Sequence, residues 1–255
     1  MYRFGVVSLF PELIEPVVRY GVVGRARERG LIALEHMSPR EFAYDRHRTV
    51  DDRPYGGGPG MVLKYEPMRD AIRALRARMP AGCPEFVLSA QGRPLDQALV
   101  AELARAPGVL LVAGRYEGID ERIVEGEVRE ELSIGDYVLS GGELAAAVVV
   151  DAVARLLPGV LGHEDSSAED SYSAGLLDCP QYTRPEHVDG MSVPEVLLTG
   201  DHGAVKRWRL KQSLGRTWLK RPELLEGRAL TPEEAELLEE FRHEVGAAPR
   251  KVAGR

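Results

Sequence analysis

Cysteine is scarce in this sequence, and long apolar runs are missing. Cys83 and Cys179 are the only cysteines among 255 residues, and neither belongs to a CxxC pair. Two cysteines cannot form the framework of a disulfide-rich secreted domain. The most apolar stretch, 144–161, contains two charged residues and a proline, so it falls short of the roughly 18 unbroken apolar residues that a membrane span needs. The first residues, MYRFGVVSLFPELIEP, lack the basic start and cleavage site of a secretory signal. We therefore expect a cytoplasmic protein.

The sequence also lacks the signatures of several enzyme classes. Neither a GxGxxG fingerprint nor a Walker A sequence is present, which disfavours dinucleotide-dependent oxidoreductases and P-loop ATPases. A GxSxG nucleophile elbow is missing as well. The six histidines show neither HxxxH spacing nor clustering with cysteine, so metal chemistry is not expected from the residues alone. Cys179 is interpreted as a small buried residue.

What remains is typical of a soluble globular protein, with 44% apolar and 29% charged residues. Short apolar runs alternate with amphipathic segments up to residue 161. Strands are predicted at 4–9, 31–36, 85–89, 109–113 and 137–139, and helices at 12–20, 67–79, 94–105 and 143–157. This alternation predicts an α/β domain over 1–161 with a mainly parallel sheet.

The pattern changes after residue 161. Residues 162–190 are polar, acidic and rich in turn formers, and we predict a flexible interdomain linker at 162–175. A small, mainly helical domain is predicted over 176–255, with helices at 201–219 and 231–245 and without strands. The tail from residue 247 is expected to be disordered.

The net charge of −7 hides a basic segment. Residues 204–221 carry seven cations and no acid. At 100° per residue, Lys206, Arg209, Arg216 and Lys220 fall within an arc of about 80°. A solvated cationic face is the plain alternative, but like charges repel within a helical turn unless a polyanion neutralises them. The segment therefore favours binding to a phosphate backbone.

Three glycine-bearing loops are predicted at strand ends of one sheet, at 52–61, 112–123 and 133–144. Glycine exposes backbone N–H groups and permits close approach of a flat ligand. The first loop follows a dense run of mixed charge that suits nucleotide recognition. Each loop alone could be a flexible surface turn, but together they predict a composite pocket at the edge where open α/β sheets bind ligands.

Two ionisable residues, Arg155 and Asp170, have simpler interpretations than a catalytic role. Arg155 lies four residues after Asp151 on a predicted helix, so an i,i+4 ion pair of about 0.3–0.5 kcal/mol is the simpler interpretation. Asp170 stands among Glu164, Asp165 and Glu169, which is typical of a solvated acidic linker. Spacing alone favours these interpretations over catalytic roles.

Seven blocks give a more specific indication. They are VSLFPE, SPREFAYDRHRTVDDRPYGGGPGM, GRYEGIDERI, SIGDYVLSGGEL, PGVLGHEDSSAEDS, GLLDCPQYTRPE and KRWRLKQSLGRTWLKRPELL. In this order they resemble the bacterial tRNA (guanine-N1)-methyltransferases (TrmD family, SPOUT class) over residues 1–245. Two departures, Val87 where an aromatic is common and Ala90 where proline is expected, bear on adenine packing and leave the chemistry intact.

The resemblance implies an α/β parallel sheet with a deep C-terminal trefoil knot, which is an exception to the rule against threaded chains. It also implies an obligate homodimer with shared active sites. S-adenosyl-L-methionine would be bound in the knot. The residues that match its site are Leu88, Ser89, Gly114, Tyr116, Glu117, Gly118, Ser133, Ile134, Gly135, Tyr137, Leu139, Gly141 and Gly142.

The implied reaction is methylation of N1 of the guanosine at tRNA position 37, just 3′ to the anticodon. Asp170 matches the general base and Arg155 the cation that stabilises charge at O6, and the linker would order over a flipped guanine. Some family members depend on Mg²⁺, and the carboxylate that matches Glu117 is implicated in this dependence. The residues that match tRNA contacts are His47, Arg48, Asp51, Gly60, Lys206, Arg209 and Arg216.

Two other functions stay open at this point. One is a knotted methyltransferase that acts on another RNA position. The other is an RNA-binding module that keeps the cofactor pocket but no longer turns over. A positional assay of the methylated nucleoside distinguishes all three.

Overall fold

The computed structural model describes residues 1–128, 130–162 and 170–246. The chain divides into two compact units, Met1–Glu164 and Asp165–Arg255, each with apolar clusters of its own. Residues 163–169 of the predicted linker and the tail predicted from residue 247 lie outside the described residues. Within the described ranges, no helix is both long and apolar enough to cross a membrane.

The first unit is an α/β fold. Its strands are β1 (Tyr2–Val7), β2 (Ile32–Met37), β3 (Asp51–Asp52), β4 (Val62–Leu63), β5 (Glu85–Pro94), β6 (Gly108–Ala113) and β7 (Glu131–Ser133). Its helices are α1 (Gly21–Glu28), α2 (Tyr65–Arg76), α3 (Gln97–Arg105), α4 (Glu121–Gly126) and α5 (Glu143–Arg155). Five strands form one sheet in the order β2-β1-β6-β5-β7, and all their pairings are parallel. The prediction of an α/β domain with a parallel sheet is confirmed.

The central strand β6 shows why this sheet is stable. Every residue of β6 is buried, because helices cover both faces of the sheet. Successive side chains point to opposite faces. Val109 and Leu111 join the apolar cluster that includes α1, α3 and α5, whereas Leu110 and Val112 join the cluster that includes α2.

Two predicted elements of the first unit are wrong. The predicted helix at 12–20 is a 3₁₀ turn at Pro11–Leu13 followed by further turns, and α1 begins only at Gly21. Pro16 interrupts this segment, since its ring removes a backbone donor. The predicted strand at 137–139 is a loop in which Val138 is 90% exposed. The strand of this region is β7, whose three residues are too short for an alternating pattern.

The second unit is mainly helical. It contains β8 (His187–Val188), β9 (Met191–Ser192), α6 (His202–Lys220) and α7 (Pro232–Val245). Asp201 caps α6 by accepting a hydrogen bond from the N–H of Ala204, 3.0 Å away. The absence of strands was wrongly predicted, because β8 and β9 form an antiparallel hairpin. Its two-residue Asp189-Gly190 turn has positive φ at both positions, and an Asp-Gly pair is a recognised hairpin signal.

Candidate functional site

A cavity of about 550 Å³ lies at the carboxyl ends of β6 and β7, beside a register shift in β5 between Leu88 and Arg93. Open α/β sheets bind ligands at this edge. The structure brings all thirteen residues expected at the methyl-donor site to this cavity. They are Leu88, Ser89, Gly114, Tyr116, Glu117, Gly118, Ser133, Ile134, Gly135, Tyr137, Leu139, Gly141 and Gly142.

Two of the predicted glycine loops form most of the cavity wall. In the loop after β6, Tyr116 has φ +62° and Gly118 has φ +147°, so the backbone turns sharply toward α4. The loop after β7 approaches it closely, with the N–H of Gly142 donating to the carbonyl of Gly114 at 2.9 Å. A Cβ at Gly142 would lie 2.8 Å from the Cα of Ala113. Glycine at position 142 therefore permits the close approach of the two loops.

The remaining predicted glycine loop, 52–61, lies outside the cavity wall. It joins β3 to β4, which form a separate ribbon, and it does not line the cavity. The prediction that this loop follows a strand of the main sheet is wrong. The loop is nevertheless tied to the cavity wall, because the N–H of Glu117 donates to the carbonyl of Met61 at 3.0 Å. Gly60 lies against Glu117 so closely that a Cβ there would be 2.3 Å from Oε1.

The cavity carries an excess of acid. Glu117, Glu121 and Glu131 line it, whereas Arg115, the one basic side chain among the described lining residues, is paired with the buried Glu143. Such a lining favours a ligand that carries positive charge. Ten lining residues were not individually predicted: Gln91, Arg115, Ile119, Glu121, Val124, Glu131, Leu132, Val138, Ser140 and Ala145. Most lie within or beside the recognised motifs. Their position next to those motifs was therefore the sequence signal that could have identified them.

The carboxylates, histidines and cysteines of the described residues do not fit a protein-held metal ion. Across the described part of the chain, no three His, Cys, Asp or Glu side chains come together in a group that could hold one. Glu117 is exposed at the cavity and packs against Gly60. We therefore assign no step to Mg²⁺.

Asp170 lies in an ordered turn of the second unit. Its carbonyl accepts a hydrogen bond from the N–H of Ser173 at 3.2 Å, and Tyr172 adopts φ +72°. Arg221 holds this turn by donating to the hydroxyl of Tyr172 at 2.9 Å. The neighbouring acids Glu164, Asp165 and Glu169 lie outside the described residues.

Arg155 is the last residue of α5, in the first unit, and is half-buried. Asp151, its expected i,i+4 partner, is exposed. Cys179 is buried, as predicted, and burial raises the pKa of its thiol.

The expected RNA-contacting residues of the first unit are on or beside its surface loops. His47, Arg48 and Gly60 are exposed, and Asp51 is half-buried in β3. Asp45 organises the first of these loops, since its carboxylate accepts hydrogen bonds from the N–H groups of His47 and Thr49, both at 2.9 Å. The hydrogen bond from Thr49 is the main reason why the pKa of Asp45 is lowered.

Helix α6 divides its cations between two faces. Arg207 forms ion pairs with Glu233, Glu236 and Glu240 of α7, and Lys211 pairs with Glu240 and Glu244. Arg221, just beyond α6, pairs with Glu223. The expectation that the seven cations lack counter-charge is therefore wrong. The four cations of the predicted arc, Lys206, Arg209, Arg216 and Lys220, form no ion pair with any described residue.

Comparisons with known proteins identify the family of this chain. The family described as tRNA (Guanine-1)-methyltransferase TrmD matches residues 2–227. The proteins named tRNA (guanine-N(1)-)-methyltransferase from Salmonella typhi and Salmonella paratyphi A (strain ATCC 9150 / SARB42) are each 62% identical over 250 residues, which cover 98% of both chains. The protein of the same name from Escherichia coli O127:H6 is 61% identical with the same coverage. This chain therefore belongs to the tRNA (guanine-1)-methyltransferase TrmD family.

Proposed function

We propose that the protein transfers a methyl group from S-adenosyl-L-methionine to N1 of the guanosine at tRNA position 37. The observation that carries this proposal is the cavity at the edge of the sheet, which gathers all thirteen expected donor-site residues. The family membership supports the same class of reaction.

The cavity fits the methyl donor in size and charge. Its volume lies within the range of about 300–1,000 Å³ typical of small-molecule sites. Glu117, Glu121 and Glu131 offset the positive charges of a sulfonium and an α-ammonium group. Backbone N–H and carbonyl groups of the glycine loops can bind the edge of the adenine. When bound, S-adenosyl-L-methionine supplies an electrophilic methyl group and leaves as the neutral thioether S-adenosylhomocysteine.

Asp170 is the proposed general base. Guanine N1 carries a proton, so a bond from N1 to the methyl carbon can form only as that proton leaves. A carboxylate in hydrogen-bond reach takes the proton, a step typically worth about 10²–10⁴-fold. Tyr172 and Arg221 would hold Asp170 in its turn while it acts.

Arg155 is the proposed stabiliser of the negative charge that develops on guanine O6. A free aspartate has a pKa near 3.9, far below that of the guanine N1 proton. Transfer of the proton therefore needs stabilisation of the negative charge that spreads to guanine O6. A guanidinium aimed at O6 supplies it.

The arc of α6 formed by Lys206, Arg209, Arg216 and Lys220, which form no ion pair with a described residue, is the proposed site for the tRNA backbone. Lys206 and Lys220 are exposed near the two ends of this helix, and Arg209 and Arg216 lie between them. Their positive charges would neutralise successive phosphates. The loop containing His47, Arg48 and Asp51, together with Gly60, would contact the tRNA from the first unit.

We further propose a cytoplasmic homodimer with shared active sites and the trefoil knot of the SPOUT class. Leu144 and Val148 support the dimer, because they project from α5 at i and i+4 and are 55% and 45% exposed. Exposed apolar side chains that lie next to one another on a helix are typical of a subunit interface. Val148→Glu should convert the dimer to monomers in sedimentation experiments.

A positional methylation assay tests the proposed function. The full chain is incubated with methyl-labelled S-adenosyl-L-methionine and a tRNA transcript that carries G at position 37, and the labelled nucleoside is mapped. We expect 1-methylguanosine at position 37 and none in the matched transcript with A37. Label at another position would support the methyltransferase with a different target. Binding of donor and tRNA without turnover would support the RNA-binding module.

A further inference from the structure

The carboxylate of Glu143 is completely buried at the start of α5. Its Oε1 accepts a hydrogen bond from the hydroxyl of Ser8 at 2.8 Å, and its Oε2 accepts one from Nε of Arg115 at 2.9 Å. A charge withdrawn from water is strongly unfavourable unless it is paired and hydrogen-bonded. The N-terminus of a helix adds a favourable field for an anion. Both carboxylate oxygens of Glu143 have a hydrogen-bond partner.

Arg115 connects this carboxylate to the cavity wall. Its side chain is 19% exposed, lies with its guanidinium carbon 4.9 Å from the centre of the Phe10 ring, and donates from Nη1 to the carbonyl of Ser140 at 3.2 Å. The backbone of Arg115 also forms a bridge with Gly141. A Cβ at position 141 would lie 2.2 Å from Nε of Arg115, so the contact between the two loops has no spare room.

The three segments tied together by Glu143 are the end of β1, the loop after β6 and the loop before α5. The last two of these form walls of the cavity, whereas Glu143 itself does not line it. We propose that Glu143 is a positioning residue, which acts through Arg115 to hold the two cavity loops in the geometry that binds the methyl donor. This inference rests on the proposed function, because it assigns the cavity to S-adenosyl-L-methionine.

Glu143→Gln tests the proposal. The amide is nearly isosteric and can still accept from Ser8, but it removes the charge that fixes Arg115. We expect the Kd for S-adenosyl-L-methionine, measured by equilibrium dialysis on the full chain, to rise about tenfold. The Kd for tRNA without donor should stay within about twofold, because the α6 arc lies in the other unit.

Glu35→Gln is the matched control. It removes the Arg3–Glu35 ion pair, which has the same 2.9 Å length in the same unit, and neither residue lines the cavity. We expect this control to keep the wild-type Kd for the donor. An unchanged donor Kd in Glu143→Gln, or an equal rise in Glu35→Gln, would overturn the proposal.

A milder variant covers the case in which Glu143→Gln does not fold. Ser8→Ala removes one hydrogen bond to Glu143 and leaves its ion pair with Arg115 in place. We expect a rise of two- to threefold in the donor Kd, and an unchanged Kd in folded Ser8→Ala would contradict the proposal. A wild-type protein that binds no S-adenosyl-L-methionine would instead refute the proposed function.

Discussion

Arg207 of α6 donates to Glu240 of α7 across 2.5 Å. With the further pairs from Arg207 and Lys211, this contact places acid against one side of the basic helix. The cations that stay available for a polyanion are those on the other side. The distribution of charge between two helices, rather than the total charge of α6, thus defines the proposed RNA-binding surface.

The first prediction concerns this surface. Replacing Lys206, Arg209 and Arg216 together by Gln should weaken tRNA binding and reduce the slope of log K against log salt by about 2 to 3, since each lost phosphate contact contributes about 0.7–0.9. Filter binding over a series of salt concentrations measures this slope. The control is Arg207→Gln/Glu240→Gln, which preserves net charge and should leave the slope unchanged. Equal slopes in the triple variant and the wild type would show that the arc faces solvent in the complex.

The second prediction concerns the proposed base. Asp170→Asn should reduce kcat by about 10²–10⁴-fold while the Kd values for tRNA and donor stay close to wild type, because only the proton acceptor is lost. Single-turnover kinetics with labelled donor measures the chemical step. Asp189→Asn makes the same chemical change in the turn between β8 and β9 and should retain full activity. Wild-type turnover in Asp170→Asn would refute the assignment.

The third prediction concerns the close approach of the two cavity loops. Gly142→Ala should weaken donor binding and destabilise the first unit by about 1–3 kcal/mol, since the new methyl group would meet the backbone of Ala113 at 2.8 Å. Gly126→Ala, at the end of α4, places its methyl group where no atom of a described residue lies within 4 Å. Calorimetric donor titration and thermal melting of both variants should show the defect only at position 142. A donor Kd that is unchanged in Gly142→Ala would contradict the close fit.

The fourth prediction concerns the start of α7. Glu234 and Thr231 form a capping box, in which the backbone N–H of Thr231 donates to Oε2 of Glu234 at 2.9 Å. This hydrogen bond, assisted by Arg228, holds the pKa of Glu234 below its ordinary value of 4.5. A lowered folded-state pKa stabilises the protein above the unfolded pKa, and the contribution is lost as pH falls through the folded value.

Glu234→Gln should therefore lower the free energy of unfolding by about 1 kcal/mol at pH 7 and by less at pH 3. Urea titrations followed by the fluorescence of Trp208 and Trp218, which both lie in α6 of the same unit, measure the difference. A loss that is equally large at both pH values would exclude the ionised carboxylate as its source.

The sequence predicted the cavity well because its walls are short and contiguous. Gly114, Tyr116 and Gly118 lie in one loop, and Gly135, Gly141 and Gly142 in the next, so recognised motifs correspond directly to one place in the fold. The division of the α6 cations between two faces was also predictable, since helical periodicity separates Lys206 from Arg207. In both cases the residues concerned lie close together in the sequence.

Features that depend on contacts between distant segments were not predicted. The acids that pair with Arg207 lie 26 to 33 residues further along the chain, so no local window relates them to α6. The same applies to Glu143 and Ser8, which are 135 residues apart. The β8–β9 hairpin was missed for a different reason, since its strands have two residues each and only the Asp189-Gly190 turn indicated it.

The glycine-built walls of the cavity also limit how the protein could escape an inhibitor. A compound that binds through the main-chain groups of these loops contacts atoms that every amino acid carries. Gly141 and Gly142 cannot acquire a side chain without steric overlap. Resistance by point substitution is therefore expected at lining residues that already carry side chains, such as Tyr116 and Tyr137, and not at Gly141 or Gly142.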